Sequence, residues 1–107
     1  QKHTTLMLTS SILAFVEQKT GAPRDDGLLL YEKDDLSERN QTFEIGMYLP
    51  NHLLIGDDSG GRGVLVHCSN ANHPVYLCDL GAMDEDDLCL LAESLDQWFA
   101  SGCPIPR

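Results

Sequence analysis

An α+β domain is what the sequence predicts, and three observations carry the expectation. Apolar residues recur at helical spacing near both ends of the chain. Between them, three strand-like runs follow one another across short, turn-rich connections, which makes a meander rather than a crossover. The 107 residues are 42% hydrophobic, enough for one core of ordinary size but not two. A single domain over residues 1–107 follows.

Each element has a local reason. Between Thr9 and Thr20 the apolar residues Ile12, Leu13, Phe15 and Val16 keep helical spacing. Ser10 or Ser11 suits the start of that helix, and Gly21 with Pro23 ends it. Asp25-Asp26-Gly27 signals a turn before Leu28-Leu29-Leu30-Tyr31, an apolar run of strand length. Asp34 to Asn40 reads as a short, acid-led helical turn whose carboxylates suit the positive end of a helix. Thr42 to Tyr48 fits either extended chain or a helical turn.

Leu53-Leu54-Ile55 and Val64-Leu65-Val66-His67 flank a glycine loop, the pattern of an antiparallel hairpin. Asn70, Asn72 and Pro74 mark the next turn, and Val75 to Cys78 is a third strand. Asp84-Glu85-Asp86-Asp87 then leads into Leu88, Leu91, Leu95, Trp98 and Phe99. Their spacings of three and four predict one helical stripe, closed by Gly102 and Pro104, with Trp98 and Phe99 in the core.

The net charge of −10 is unevenly placed. Residues 1–24 carry Lys2, Lys19 and Arg24 against Glu17, a balance of +2, which leaves −12 for residues 25–107. Such an anion repels phosphate backbones and acidic lipid, so nucleic-acid and membrane partners are disfavoured and a basic protein is favoured. No apolar run approaches the ~18 residues of a membrane span. Cys68, Cys78, Cys89 and Cys103 form no C-x-x-C pair; buried free thiols of a cytoplasmic protein are the expectation, and disulfides in an oxidising compartment the alternative.

The stretch Gly56-Asp57-Asp58-Ser59-Gly60-Gly61-Arg62-Gly63 invites catalytic readings that its chemistry opposes. A hydrolase built on Ser59 needs a base and an orienting acid on a larger scaffold; before Ser59 the histidines are His3 and His52. A phosphate cradle needs a lysine where Arg62 stands, a hydroxyl where Gly63 stands, and a helix where a strand follows; Asp57 and Asp58 would also repel phosphate. Calcium loops space their acids at alternate positions, unlike adjacent Asp57 and Asp58. A zinc set of His67, Cys68, His73 and Cys78 fails because neighbouring strand residues point to opposite faces. No catalytic residue, metal or cofactor is therefore expected. The stretch is expected to be a hairpin turn, with glycines at positive φ, Asp and Ser bonded to local amides, and Arg62 paired with an aspartate.

In order along the chain, the helix expected to end near Gly21, Leu28 to Tyr31, Asp34 to Glu38, Tyr48-Leu49-Pro50, Leu54 to Gly61, Pro74-Val75-Tyr76 and Ala92 to Phe99 resemble the SUKH superfamily. Its members carry an IGDDGGG-like segment after a strand, a PVY-like strand, and a closing helix of the form A-x-S-F-x-x-W/F-L. The resemblance covers nearly all of residues 8–101. It departs at the start, where the family has a further upstream helix and a Leu-Pro turn; here the chain begins at Gln1 and Leu8 is followed by Thr9.

The resemblance implies a twisted, mostly antiparallel sheet with helices packed against it, and a non-enzymatic protein-binding role. Many bacterial members are immunity proteins that bind and block a toxin, often a nuclease, and others are cell-wall or stress regulators that work by protein contact; a general interaction or regulatory domain acting as a homo-oligomer is the alternative expectation. Carboxylates suit a basic nuclease because they imitate its phosphates. Partner-contact candidates are the turn Asp25-Asp26, then Asp34, Asp35 and Glu38, the loop Asp57-Asp58 with Arg62, and the cluster Asp84-Glu85-Asp86-Asp87.

Overall fold

The computed structural model describes residues 10–18 and 27–105. It is an α+β fold in which a five-stranded antiparallel sheet, in the order β1-β2-β3-β4-β5, packs with four helices. The order of elements is α1 (Ser10–Gln18), β1 (Leu29–Leu30), α2 (Lys33–Thr42), α3 (Ile45–Tyr48), β2 (His52–Asp57), β3 (Arg62–His67), β4 (Val75–Asp79), a 3₁₀ turn (Glu85–Asp87), β5 (Cys89–Ala92) and α4 (Leu95–Ala100). Consecutive strands are neighbours throughout, so the hairpin and the third strand lie as expected. The expected stops at Gly21 and Pro23, and the turn Asp25-Asp26, lie outside the described residues.

Leu53, Leu54 and Ile55 of β2 and Val64, Leu65 and Val66 of β3 are all buried. Successive strand side chains point to opposite faces, so both faces of the central hairpin are covered. Register assigns the faces. Directly opposed residues share one, so Leu54, Leu65, Tyr76 and Leu90 stand together on the first face, with Gly63 and Cys78 further along it. Leu53, Val66, Val75 and Ala92 stand on the second. Val75 and Leu77 are buried, whereas Tyr76 is half-buried and Leu90 is 51% exposed; cover on the first face therefore ends at β4.

Two expected elements are resized and one is divided. The apolar run at Leu28 yields a strand of only two residues, after which Tyr31 N–H donates to the Ile55 carbonyl at 3.0 Å and the chain turns into α2. The acid-led turn grows into a ten-residue helix. Thr42 to Tyr48 contains the end of α2, a left-handed Glu44 (φ 55°) and the single turn of α3.

The predicted closing helix is a correction. Asp84 caps a 3₁₀ turn by accepting the Asp86 N–H at 2.9 Å, Cys89–Ala92 pairs with β4, and helix begins only at Leu95, where the Ser94 hydroxyl accepts the Gln97 N–H at 3.0 Å. The reason is pairing. An apolar run of strand length fits helix and strand alike by periodicity, and the open edge of β4 offers it backbone partners. The four acids thus stand at a short turn and not at the head of a long helix. Phe99 is a second correction: it is 38% exposed, touching the core edge-on through Phe15 at 5.2 Å between ring centres, while Trp98 fills the interior.

None of the four cysteines is joined in a disulfide; Cys68, Cys78 and Cys103 are buried, and Cys89 is exposed on β5. Burial pushes the Cys68 thiol up to about 11 and also raises Cys78. A thiolate-seeking reagent at neutral pH is expected to modify one equivalent, Cys89, quickly, and the other three only as the fold opens. A second fast equivalent in the titration would contradict this.

Candidate functional site

The glycine loop joins β2 to β3, and its polar groups are turned onto the protein itself. Asp57 accepts the Ser59 N–H at 2.9 Å through one oxygen and the Tyr31 hydroxyl at 2.5 Å through the other. Asp58 accepts the N–H groups of Gly60 at 2.8 Å and Arg62 at 3.0 Å, and the Arg62 guanidinium at 2.6 Å. The Ser59 hydroxyl donates to the Gly27 carbonyl at 2.7 Å. The expected pairing of Arg62 with an aspartate is thus with Asp58.

Positive φ falls at Ser59 (64°) and Gly61 (98°), so the serine, and not Gly60, takes one of the left-handed positions. Gly56 is required for a different reason. A Cβ there would sit 2.5 Å from the Leu29 carbonyl oxygen, so its bare Cα is what lets β1 close on β2.

Asp58 makes the loop acid-sensitive. Its partial burial pushes the carboxyl up, but the Arg62 and Gly60 amides and the Arg62 guanidinium together outweigh burial and hold it below the usual carboxylate range. A depressed folded-state value means a contribution present above the unfolded value and lost as pH falls through the folded one. Stability of the native chain is therefore expected to drop on acidification below about pH 4 more steeply than that of Asp58→Asn. Parallel pH–stability curves from urea titrations would refute this.

Around the loop the structure forms two acidic groups. In the first, Tyr31 is buried beneath its bond to Asp57; burial, and then Asp57 itself, raise the phenol well above its ordinary value, so it stays a donor. Arg39 lies 5.5 Å from the centre of the Tyr31 ring and 3.6 Å from Glu38, so Glu38 and Asp57 belong to one neighbourhood. Asp34 and Asp35 extend that acidic surface through the first turn of α2, both exposed.

In the second group, Asp79 stands opposite Arg62 in the β3–β4 register; burial raises the Cys78 thiol, a backbone hydrogen bond from Asp84 opposes that rise, and the charges of Asp79, Asp87 and Asp84 add to it. Glu85 is exposed on the 3₁₀ turn beside Asp84.

An open groove of about 380 Å³ lies between the α2–α3 junction and the loop after β4. Thr42, Phe43, Glu44 and Tyr48 form one wall, and the loop after β4, from Leu80 to Met83, forms the other. Leu80 is positioned by its N–H bond to the Gly61 carbonyl at 2.9 Å, and its methyl groups share with Leu54 the space over Gly63. The groove therefore belongs to the first face, near the end of the sheet that carries the glycine loop. Sequence reasoning missed it, along with the roles of Tyr31 and Arg39; the signal it did have was the undecided stretch Thr42 to Tyr48.

Among the described residues no three His, Cys, Asp or Glu side chains converge as a metal site would require. His67 accepts the Asn70 N–H through Nδ1 at 3.2 Å, and the His73 ring contacts the His67 carbonyl at 3.0 Å. Among the described residues no helix is long and apolar enough to cross a membrane. No protein-family model matches the chain, and no curated protein matches it.

Proposed function

We propose that this chain is a non-enzymatic protein-binding domain of the immunity type, which binds and neutralises a cognate bacterial toxin. A basic nuclease domain is the partner its potential suits. The observation that carries the reading is the contrast between the two kinds of polar residue. Ser59, Asp57 and Asp58, the groups a hydrolase would use, are engaged in hydrogen bonds that hold the loop, while Asp34, Asp35 and Glu85 are exposed at the surface, as are Glu38 and Asp84, which also accept the Thr42 hydroxyl and the Asp86 N–H. Fixed carboxylates at a surface speed encounter with a basic protein and penalise acidic competitors. The SUKH resemblance points the same way, and a cytoplasmic site of action goes with it.

Co-expression tests this reading. The product of the adjacent reading frame is expected to arrest growth alone, to be relieved by this chain, and to co-purify with it in a salt-sensitive complex. Continued arrest with no complex would end the proposal. Ser59→Ala is expected to protect as well as the native chain, whereas a hydrolase built on Ser59 would lose protection.

A regulatory or scaffold domain, homo-oligomeric in its simplest form, is the second reading. It is favoured by the exposed apolar residues Met47, Leu90 and Phe99. Light scattering that gives a stable oligomer together with failed protection would select it.

A further inference from the structure

We propose that the groove between the α2–α3 junction and the loop after β4 docks a partner segment that presents one bulky apolar side chain flanked by lysines or arginines. This deepens the protein-binding reading and rests on it.

Three observations support that occupant. The walls offer apolar surface: Phe43, Leu80 and Met83 are half-buried, and Tyr48 is 49% exposed. The volume of about 380 Å³ lies within the ~300–1,000 Å³ range of small binding pockets. The rim is anionic on both sides. Glu44 lies on the lining of one wall, and Asp79 accepts the N–H of Gly81, a lining residue of the other, at 2.8 Å. The nearby cations are already committed, Arg39 to Glu38 and Tyr31, and Arg62 to Asp58. An apolar anchor with flanking positive charge satisfies both features.

Glu44 is also distinguished by its backbone. It holds a left-handed backbone (φ 55°, ψ 43°), a conformation glycine adopts without strain, so glutamate there costs the fold stability while placing a carboxylate on the groove wall.

Among the described residues, a second copy of this chain offers no matching segment. The exposed apolar residues Met47, Leu90 and Phe99 lie near Glu44, Asp87 and Asp96 in sequence and have no neighbouring lysine or arginine, so each would bring acid to an acidic rim. The edge strand β5 is a poorer docking element, being four residues long and bulged at Leu91.

The test uses a fluorescein-labelled ten-residue peptide with a central tryptophan between paired lysines, a glutamate-flanked twin, and a twin with serine for tryptophan, read by fluorescence polarisation against the whole chain. Saturable, salt-sensitive binding of the first alone is expected. Glu44→Gly should raise the melting temperature yet weaken binding about fivefold, the size of one exposed charge pair. Tyr48→Ala should weaken it further. No binding, equal binding of the three peptides, or affinity unchanged in both variants overturns the proposal. If a toxin partner binds both variants as tightly as the native chain, the groove assignment falls while the protein-binding reading stands.

Discussion

Trp98→Ala is expected to remove about 3–5 kcal/mol of unfolding free energy, the range for truncating a large aromatic in a packed core. Trp98 is 1% exposed and ties three segments together. Its ring lies 6.2 Å from that of Phe15, which fastens α4 to α1. Its indole N–H donates to the Pro104 carbonyl at 2.9 Å, and its own carbonyl accepts the Cys103 N–H at 2.9 Å, which folds the chain after α4 back onto the helix. Alanine leaves a cavity, an unpartnered Pro104 carbonyl and an α1 with less to pack on. Trp98→Phe keeps much of the apolar area but loses the N–H, so it should fall between alanine and the native chain. Urea unfolding followed by far-ultraviolet circular dichroism measures both. A loss under about 1 kcal/mol for alanine would mean that α4 does not close the core.

Asn40→Ala is expected to cost about 2–4 kcal/mol although it removes only a small side chain, because each buried backbone group left without a partner costs about 1–3 kcal/mol. β1 ends after two residues, and where it stops the Leu54 N–H and C=O of β2 would face no strand. The Asn40 amide takes the missing strand's place: its oxygen accepts the Leu54 N–H at 2.8 Å, and its nitrogen donates to the Leu54 carbonyl at 3.0 Å and to Leu36 of its own helix at 2.8 Å. One buried side chain thereby docks α2 on the edge of β2, next to the bulge between Leu54 and Gly56. Asn40→Asp keeps the acceptor but sets a carboxylate against two carbonyl oxygens, so at neutral pH it should destabilise at least as much as alanine. Hydrogen exchange supplies a second measurement: the Leu54 amide should be protected in the native chain and should lose protection in both variants. A stability change under about 0.5 kcal/mol, with Leu54 still protected, would show that water serves that edge equally well.

Much of the fold was legible where local chemistry decides it. The hairpin around the glycine loop could be read because Asp57, Asp58 and Ser59 bond to amides within a few residues of themselves, and such turns depend little on the rest of the molecule. α1 could be read from its apolar spacing. The candidate site was half legible. Its acidic residues were plain, yet nothing local said that Glu38 would share a neighbourhood with Asp57 through Tyr31, or that Asp79 would stand across from Arg62. Those relations depend on register and on how α2 docks.

Composition and short-range pattern alone determined the antiparallel meander, the acidic surface, the conformational role of the glycine loop and the helical character of Ser10–Gln18. Tertiary structure decided the rest. It made Cys89 to Ala92 a strand where spacing allowed a helix, set an asparagine in place of a missing strand, and left a groove between the α2–α3 junction and the loop after β4. The physical reason is that periodicity records which side of a segment is apolar, whereas a backbone N–H or C=O must find its partner wherever the fold supplies one. For the residues beside β4 and for Leu54, that partner lies far away in sequence.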